Sequence, residues 1–290
     1  MNVLIILCYN DDDVSVKYIK QIVSYSAIDK IVVVDNGSKN KKIKKLRNEL
    51  DKIQSKKITL IQNRENVGYA KGNNIGIRYA INQWNPDCIA ISNTDVEYTD
   101  DVMAYALEFL DKTPDAGIVS PKMVLPNGEE SLVAWKLPKY WMTLWNACDI
   151  LKKIYNPQKY KKIVGDTYKV DVLPGSLLIG KAETWKKVDG FDEETFLYGE
   201  ESLLAYKVLS IGKSNYLLNN VEYLHRHSTI INKNIKSYKK KMKMLCDANL
   251  SYNRKCLHTG SAKDELYKAV FSVNVFLMIF IKKIKNEGER

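Results

Sequence analysis

Four short stretches of this chain carry side chains able to do chemistry. Cys88-Ile89-Ala90-Ile91-Ser92 is a run of small and branched apolar residues that gives way to Asn93, Thr94 and Asp95. Asn93 and Asp95 stand two apart and so point the same way in extended chain. A carboxylate at the carboxyl end of a strand lies where open α/β sheets bind ligands. Asp95 can there hold a divalent metal on a nucleotide diphosphate, or it can close an Asx-turn ahead of the next helix. Asp35 ends an earlier run, Ile31-Val32-Val33-Val34, in the same manner. It can accept from a nucleobase or a ribose hydroxyl, or open a turn with Gly37.

The other two stretches lie downstream. Glu200 and Glu201 follow the aromatic run Phe196-Leu197-Tyr198. Adjacent carboxylates at a helix start beside apolar surface raise one another's pKa, which suits a general base. They also suit the first turn of a helix with no further role. His225 and His227 alternate along an extended segment, in a chain with three histidines. One imidazole with Asp95 makes a ligand pair suited to Mn2+ or Mg2+, phosphate oxygens completing the shell, unless the histidine is merely structural.

A glycine-rich stretch, Asn66 to Gly76, fits neither G-x-G-x-x-G nor G-x-x-x-x-G-K-[ST], which disfavours hydride transfer and P-loop chemistry. Its glycines would let backbone approach a ligand with helix-start amides facing phosphate, or would only start a helix.

The elements that must position these residues follow from the apolar pattern. Continuous apolar runs at 2–8, 31–34, 58–61 and 88–92 read as buried strands. Between them come helices over about 13–26, 40–54, from the glycine-rich stretch to near Trp84, and 100–112. Asp11 or Asp12 is expected to cap the first helix. This alternation predicts a parallel sheet covered on both faces. After residue 116 it breaks down. Ile118 to Pro121 reads as a strand end, and 125–168 is irregular and rich in Trp, Tyr and Lys. Val170 to Gly180 reads as a strand bent at Pro174-Gly175-Ser176. A short helix at 182–188, a turn at Gly190-Phe191-Asp192 and a helix opening at Glu200 follow. Two short strands, 214–218 and 221–224, lead to His225. Beyond residue 233 the chain reads as two basic helices divided near His258-Thr259-Gly260.

Composition narrows the partners. The 290 residues carry a formal net charge of +11, which favours nucleic acid, phosphorylated substrates or an acidic membrane surface. The five cysteines form no C-x-x-C pair and sit mostly in apolar surroundings, as buried thiols of a reducing compartment do. Val3 to Cys8 is too short and uncharged for a signal peptide, and Val270 to Ile281 is shorter than the roughly 20 residues that span a bilayer. The expected location is the cytoplasm.

In order along residues 2–228, these landmarks resemble the family 2 glycosyltransferases, inverting enzymes of the GT-A fold, and particularly the rhamnosyltransferase- and galactofuranosyltransferase-like branch. The likeness is carried by Val3-Leu4-Ile5-Ile6 to Tyr9-Asn10, by Val33 to Ser38, by Asn66 to Asn74 and by Asn93-Thr94-Asp95. Gly175-Ser176, Gly190-Phe191-Asp192-Glu193, Phe196 to Glu201 and His225 complete it. The resemblance implies a Rossmann-like, mostly parallel mixed sheet flanked by helices, over residues 1–230. Residues 1–115 would be the nucleotide-binding half and 116–230 the acceptor and catalytic half, with a basic helical extension at 231–290.

The same resemblance implies roles. Asp35 would contact the base or ribose with Tyr9 nearby. Gly68, Lys71, Gly72 and Asn73 would line the nucleotide and donor sugar. Asn93-Thr94-Asp95 takes the place of the family's D-x-D, with Asp95 and His225 on a Mn2+ or Mg2+ ion. Glu201 takes the place of the catalytic aspartate in the family's Glu-Asp pair, with Glu200 beside it. Two positions depart from the pattern: Leu203 stands where the family has an acid, and Lys207 where it has arginine. Those departures raise the alternative of a catalytically degenerate scaffold, and the charge raises that of a nucleic-acid-binding protein. No RRM, KH or helix-turn-helix signature supports the latter.

The expected donor is a dTDP- or UDP-sugar, and the expected acceptor a glycan or lipid-linked glycan of surface polysaccharide synthesis. The extension at 233–285 combines lysines with Val270, Phe271, Phe276, Leu277, Ile279 and Phe280. That pattern suits an interfacial helix on the inner face of an anionic membrane, a helix docking a partner or second subunit, or one packed on the catalytic domain.

Overall fold

The computed structural model describes residues 1–126, 133–226 and 237–288, with side chains described as far as residue 281. The first 112 residues alternate strand and helix: β1 (Asn2–Cys8), α1 (Asp12–Ile22), β2 (Lys30–Asp35), α2 (Asn40–Ile53), β3 (Ile58–Gln62), α3 (Tyr69–Trp84), β4 (Cys88–Ser92), the two-residue β5 (Val96–Glu97) and α4 (Asp100–Lys112). Strands β3, β2, β1 and β4 are neighbours in that order and all parallel. Their apolar runs are continuous because both faces are covered. Leu4, Ile6, Ile31, Val33 and Ala90 enter one core, against α1, α2 and α4. The alternate residues Val3, Ile5, Val32, Val34, Ile89 and Ile91 enter a second, against α3.

The first helix ends at Ile22, short of the expected residue 26. The Asp100 carboxylate accepts from the Ser26 and Ala27 amides and the Ser26 hydroxyl, which draws that segment into a turn. Asp11 and Asp12 do not cap the helix with their side chains as expected. Asp12 is buried and ion-paired with Lys42, and Asp11 is turned toward β4.

From residue 116 the chain continues through β6 (Ala116–Val124), α5 (Tyr140–Asn146), α6 (Asp149–Ile154), β7 (Thr167–Val170), β8 (Leu177–Lys181), α7 (Ala182–Lys187), α8 (Glu200–Ser210) and β9 (Ser214–His225). Strand β8 lies antiparallel between β4 and β6, and β9 runs parallel to β6 and antiparallel to β5 and β7. The two strands expected at 214–218 and 221–224 are one. Its ladder to β6 skips from Leu218 to Glu222, and this irregularity absorbs Asn219, Asn220 and Val221. The described part of 125–168 is less irregular than expected, since it contains α5 and α6.

Two C-terminal helices follow, α9 (Tyr238–Leu257) and α10 (Ser261–Gly288). Leu203 of α8 packs with Tyr252 and Cys256 of α9, and the Tyr252 hydroxyl donates to the Pro138 carbonyl. Tyr267 and Phe271 of α10 join Leu250 and Ala147 in a further small core. Among the described residues no helix is long and apolar enough to cross a membrane.

Candidate active site

Register brings the chemical residues to one edge. Cys8 at the end of β1 is opposite Asp35 of β2, and Ile6 is opposite Ser92 of β4. The segments after these strands, 9–11, 36–38 and 93–95, therefore leave the sheet side by side at its carboxyl ends, where such sheets take ligands. Asp35 is wholly buried. Its Oδ2 accepts from the Ser38 amide at 3.2 Å, while Oδ1 has no hydrogen-bond partner among the described residues. Burial holds its carboxyl above the usual carboxylate range, against the hydrogen bonds from Ser38 and Gly37.

Asn36, next along, fastens the glycine-rich stretch to β2. Its Nδ2 donates to Asn66 Oδ1 and to the Gly68 carbonyl, both at 3.0 Å, and its Oδ1 accepts from the Val67 amide at 3.1 Å and Asn63 Nδ2 at 3.2 Å. Gly68 has φ +91°, and a Cβ there would stand 2.5 Å from the Phe196 carbonyl oxygen, so only glycine fits. Gly72 serves close packing as well, since a Cβ would meet Leu7 Cδ1 at 2.6 Å. Asn73 is buried, donating to the Tyr69 carbonyl with its Oδ1 unpartnered among the described residues, and Lys71 is exposed. Tyr9 is half-buried on the loop after β1.

The Asn93-Thr94-Asp95 segment is held at each residue. The Asn93 amide donates to the Ser176 carbonyl at 2.9 Å, and the Thr94 hydroxyl to Asp11 Oδ2 at 2.8 Å. Asp11 Oδ1 in turn accepts from the Tyr9 amide at 2.9 Å, and burial raises the Asp11 carboxyl above its ordinary range. Asp95 Oδ1 stands 3.3 Å from His225 Nε2, because β5 pairs Val96 with His225. Two ligand atoms at that separation fit adjacent positions around one ion with bonds of about 2.1 Å. Among the described residues no group of three or more His, Cys, Asp or Glu side chains could hold a metal. Among the described residues an ion here would find Asp95 and His225 as ligands, with a ligand's phosphates able to supply others. The second histidine of the alternating pair, His227, lies outside the described residues.

The glutamate pair closes the site from the other half. Tyr198 at φ +75° and Gly199 at φ +80° swing the chain into α8, so that Glu200 and Glu201 open the helix. Glu200 is buried, with Oε2 unpartnered among the described residues. Burial, then the neighbouring Glu201, push its carboxyl well above the ordinary range. Burial also raises Glu201, against the Gly175 amide that hydrogen-bonds it, and Glu201 keeps partial exposure. Tyr69 ties the two halves: its amide donates to the Phe196 carbonyl at 2.9 Å and its hydroxyl to the Gly175 carbonyl at 2.6 Å.

Both departures from the family pattern have a structural account. Leu203 is apolar because α9 covers it with Tyr252 and Cys256, where a carboxylate would be stranded. Lys207 reaches back to donate to the Gly190 carbonyl at 2.7 Å and the Asp189 carbonyl at 3.3 Å. It so holds the turn whose next residue, Phe191, is clamped through both backbone polar groups by Asn74. Sequence reasoning missed Asp11, Asn36, Tyr69 and Asn74 as fasteners. A polar side chain directly after each apolar run was the available signal for the first two.

Comparison with known proteins identifies the family and the fold. The sequence profile described as glycosyl transferase family 2 matches residues 3–164, more than half of the chain, and the chain belongs to that family. A curated relative is the low-salt glycan biosynthesis hexosyltransferase Agl10 of Haloferax volcanii, 23% identical over 207 residues that cover 71% of this chain. The chain spans 61% of that relative's length. Among solved structures, the mannosyltransferase PcManGT from Pyrobaculum calidifontis, in complex with GDP-Man and Mn2+, is similar with a TM-score of 0.61 at 16% identity, covering 94% of this chain and 72% of its own. GalNAc-T7 with UDP, GalNAc and Mn2+ has a TM-score of 0.61 at 14% identity, covering 78% and 44%. S. aureus TarS 1-349 has 0.52 at 15%, covering 93% and 90%. The fold is that of the GT-A glycosyltransferases, with a helical C-terminal region.

Proposed function

We propose that this member of glycosyl transferase family 2 is an inverting, metal-dependent glycosyltransferase. It moves a sugar from a nucleotide-diphosphate sugar, dTDP-rhamnose or a UDP-sugar, to a glycan or lipid-linked glycan in surface polysaccharide synthesis. It works in the cytoplasm, on the inner face of the plasma membrane. What supports the reading is one observation: Asp35 and Asn93-Thr94-Asp95 with His225 lie at the carboxyl ends of the parallel strands, and the Glu200–Glu201 start of α8 is tied to them through Gly175, Ser176 and Tyr69. Residues 1–115 then form the donor half and 116–230 the acceptor half. The relatives crystallised with Mn2+ and a nucleotide or nucleotide sugar support the donor class.

In this mechanism Asp35 and Tyr9 take the nucleoside, with Asn73, Lys71 and the glycine-bearing backbone at 68–72 beside the donor. Asp95 and His225 would hold Mn2+ or Mg2+, which when bound neutralises charge on the departing diphosphate. Glu201 accepts the proton of an acceptor hydroxyl, whose oxygen attacks the anomeric carbon from the face opposite the diphosphate. The bond from that carbon to the diphosphate oxygen breaks, its electron pair leaves with the nucleotide, and the anomeric configuration inverts. The raised pKa of Glu201 makes it a stronger base than an ordinary carboxylate once ionised.

A panel of UDP-, dTDP- and GDP-sugars, each melted with and without Mn2+, tests the donor site. With two protein ligands, Mn2+ alone should leave the melting temperature unchanged, whereas the correct nucleotide sugar with Mn2+ should raise it by several degrees. If no nucleotide moves it under either condition, the donor assignment is wrong.

A further inference from the structure

The positive surplus of this chain is not spread evenly. Residues 133–166 hold seven lysines against two acids, and residues 237–288 hold eleven basic residues against four acids. The rest of the chain carries 27 basic and 28 acidic residues, so these two segments account for the whole surplus. They also lie together. The Tyr140 hydroxyl donates to the Lys263 carbonyl at 2.6 Å, the Asp149 amide donates to Asn274 Oδ1 at 2.9 Å, and Ala147 shares a core with Tyr267 and Phe271.

Helix α10 is apolar on two opposite sides. Tyr267, Phe271 and Asn274 are buried against the body. Leu266, Val273, Phe276, Leu277 and Phe280 recur at helical spacing on the other side and are 51%, 60%, 70%, 38% and 54% exposed. Helix α6, joined to α10 through the hydrogen bond of Asp149 to Asn274, leaves Ile150 and Ile154 exposed, with Lys152 and Lys153 exposed between them. Trp141 and Tyr155, residues with an apolar ring and a polar edge, are exposed in the same region. An apolar surface of this extent with a basic surround is a contact surface rather than scattered exposure.

We propose that this face of α6 and α10 seats the protein on an anionic lipid bilayer. The aliphatic and aromatic side chains enter the headgroup boundary while the surrounding lysines meet acidic headgroups. Charge selects the bilayer over a second copy of the chain. Two copies meeting through this face would bring two concentrations of positive charge together, whereas anionic headgroups offset them. The contact is with one leaflet, since no described helix is long and apolar enough to cross. Helix α9 links the face to the catalytic pair, packing Ala248 against Gly199 while Leu250 lies in the core with Phe271. Resting on the transferase reading, this link holds Glu201 at a fixed offset from the surface where a lipid-linked acceptor would stand.

Sedimentation of the full chain with vesicles tests the contact without any nucleotide sugar, so it fails or succeeds independently of the transfer reaction. Vesicles of phosphatidylcholine with about one-third phosphatidylglycerol should carry the protein down, phosphatidylcholine alone should not, and added salt should release it. Phe276→Ser with Phe280→Ser, both at exposed positions, should keep the melting temperature and weaken anionic-vesicle binding by roughly tenfold or more. Lys152→Glu with Lys153→Glu should weaken it too. The proposal is overturned if anionic vesicles leave the protein in solution, or if both paired variants bind as the wild type does. A wild-type dimer that Phe276→Ser with Phe280→Ser turns into a monomer, with no change in vesicle binding, would assign the face to a second copy instead.

Discussion

The proposed donor half and the proposed acceptor half position their carboxylates by different means. From β1 to β4 the strands are parallel neighbours, and pairing places Asp35 as the last residue of β2. Asp95, past the end of β4, is held by the Asn93 amide on Ser176, the Thr94 hydroxyl on Asp11 and the β5–β9 pairing. From residue 116 the strands run in both directions with a broken register, and Glu201 is aimed by a helix start. That start depends on two residues at positive φ, on the Gly175 amide and on the packing of α9 behind α8. The carboxylates proposed to serve the donor are set by strands and the loops that follow them, and the carboxylate proposed as base by what is packed around it.

The largest test of that contrast is Glu201→Gln, which should lower transfer by about 10³-fold or more while nucleotide-sugar binding, followed by thermal shift, is unchanged. As the proposed base, Glu201 must be ionised, and burial raises its pKa. Therefore kcat/KM should rise with pH through a midpoint above the roughly 4.3 of an ordinary glutamate. Retained transfer in the variant would move the base to Glu200.

Next in size is Leu203→Asp, which restores the family's acid. Because α9 covers that position, the change should cost about 3 kcal/mol of stability in denaturant unfolding rather than improve activity. A gain in transfer would show that the cover of Tyr252 and Cys256 is dispensable. Asn36→Ala probes the other half. It removes four hydrogen bonds to residues 63–68, at a cost of about 1–3 kcal/mol. Amide exchange should quicken there and donor affinity should fall, with α8 and α9 as protected as before. Equal loosening of α8 would mean the two halves are not separately held.

How much of this was visible beforehand follows the same division. Apolar runs closed by a polar residue marked β1 to β4 and both strand-end aspartates, because burial on two faces needs an unbroken run and a ligand edge needs its end. The adjacent glutamates stood out because two carboxylates side by side beside an aromatic run demand a use or a helix start. Helix ends were less visible. Asp11 reads as a cap until Thr94 is beside it, and α1 stops early because of Asp100, far along the chain.

By itself, then, the sequence determined strands β1 to β4, the order of the chemical residues and the concentration of charge in two segments. Those properties are local or additive, and need no knowledge of what lies opposite. Tertiary structure alone decided that Asp95 meets His225, that Leu203 is covered, and that Lys207 holds the turn before Phe191. It also decided that one side of α10 stays exposed beside α6. Each of these depends on which distant segment packs alongside, and the balance between burial and desolvation is struck only there.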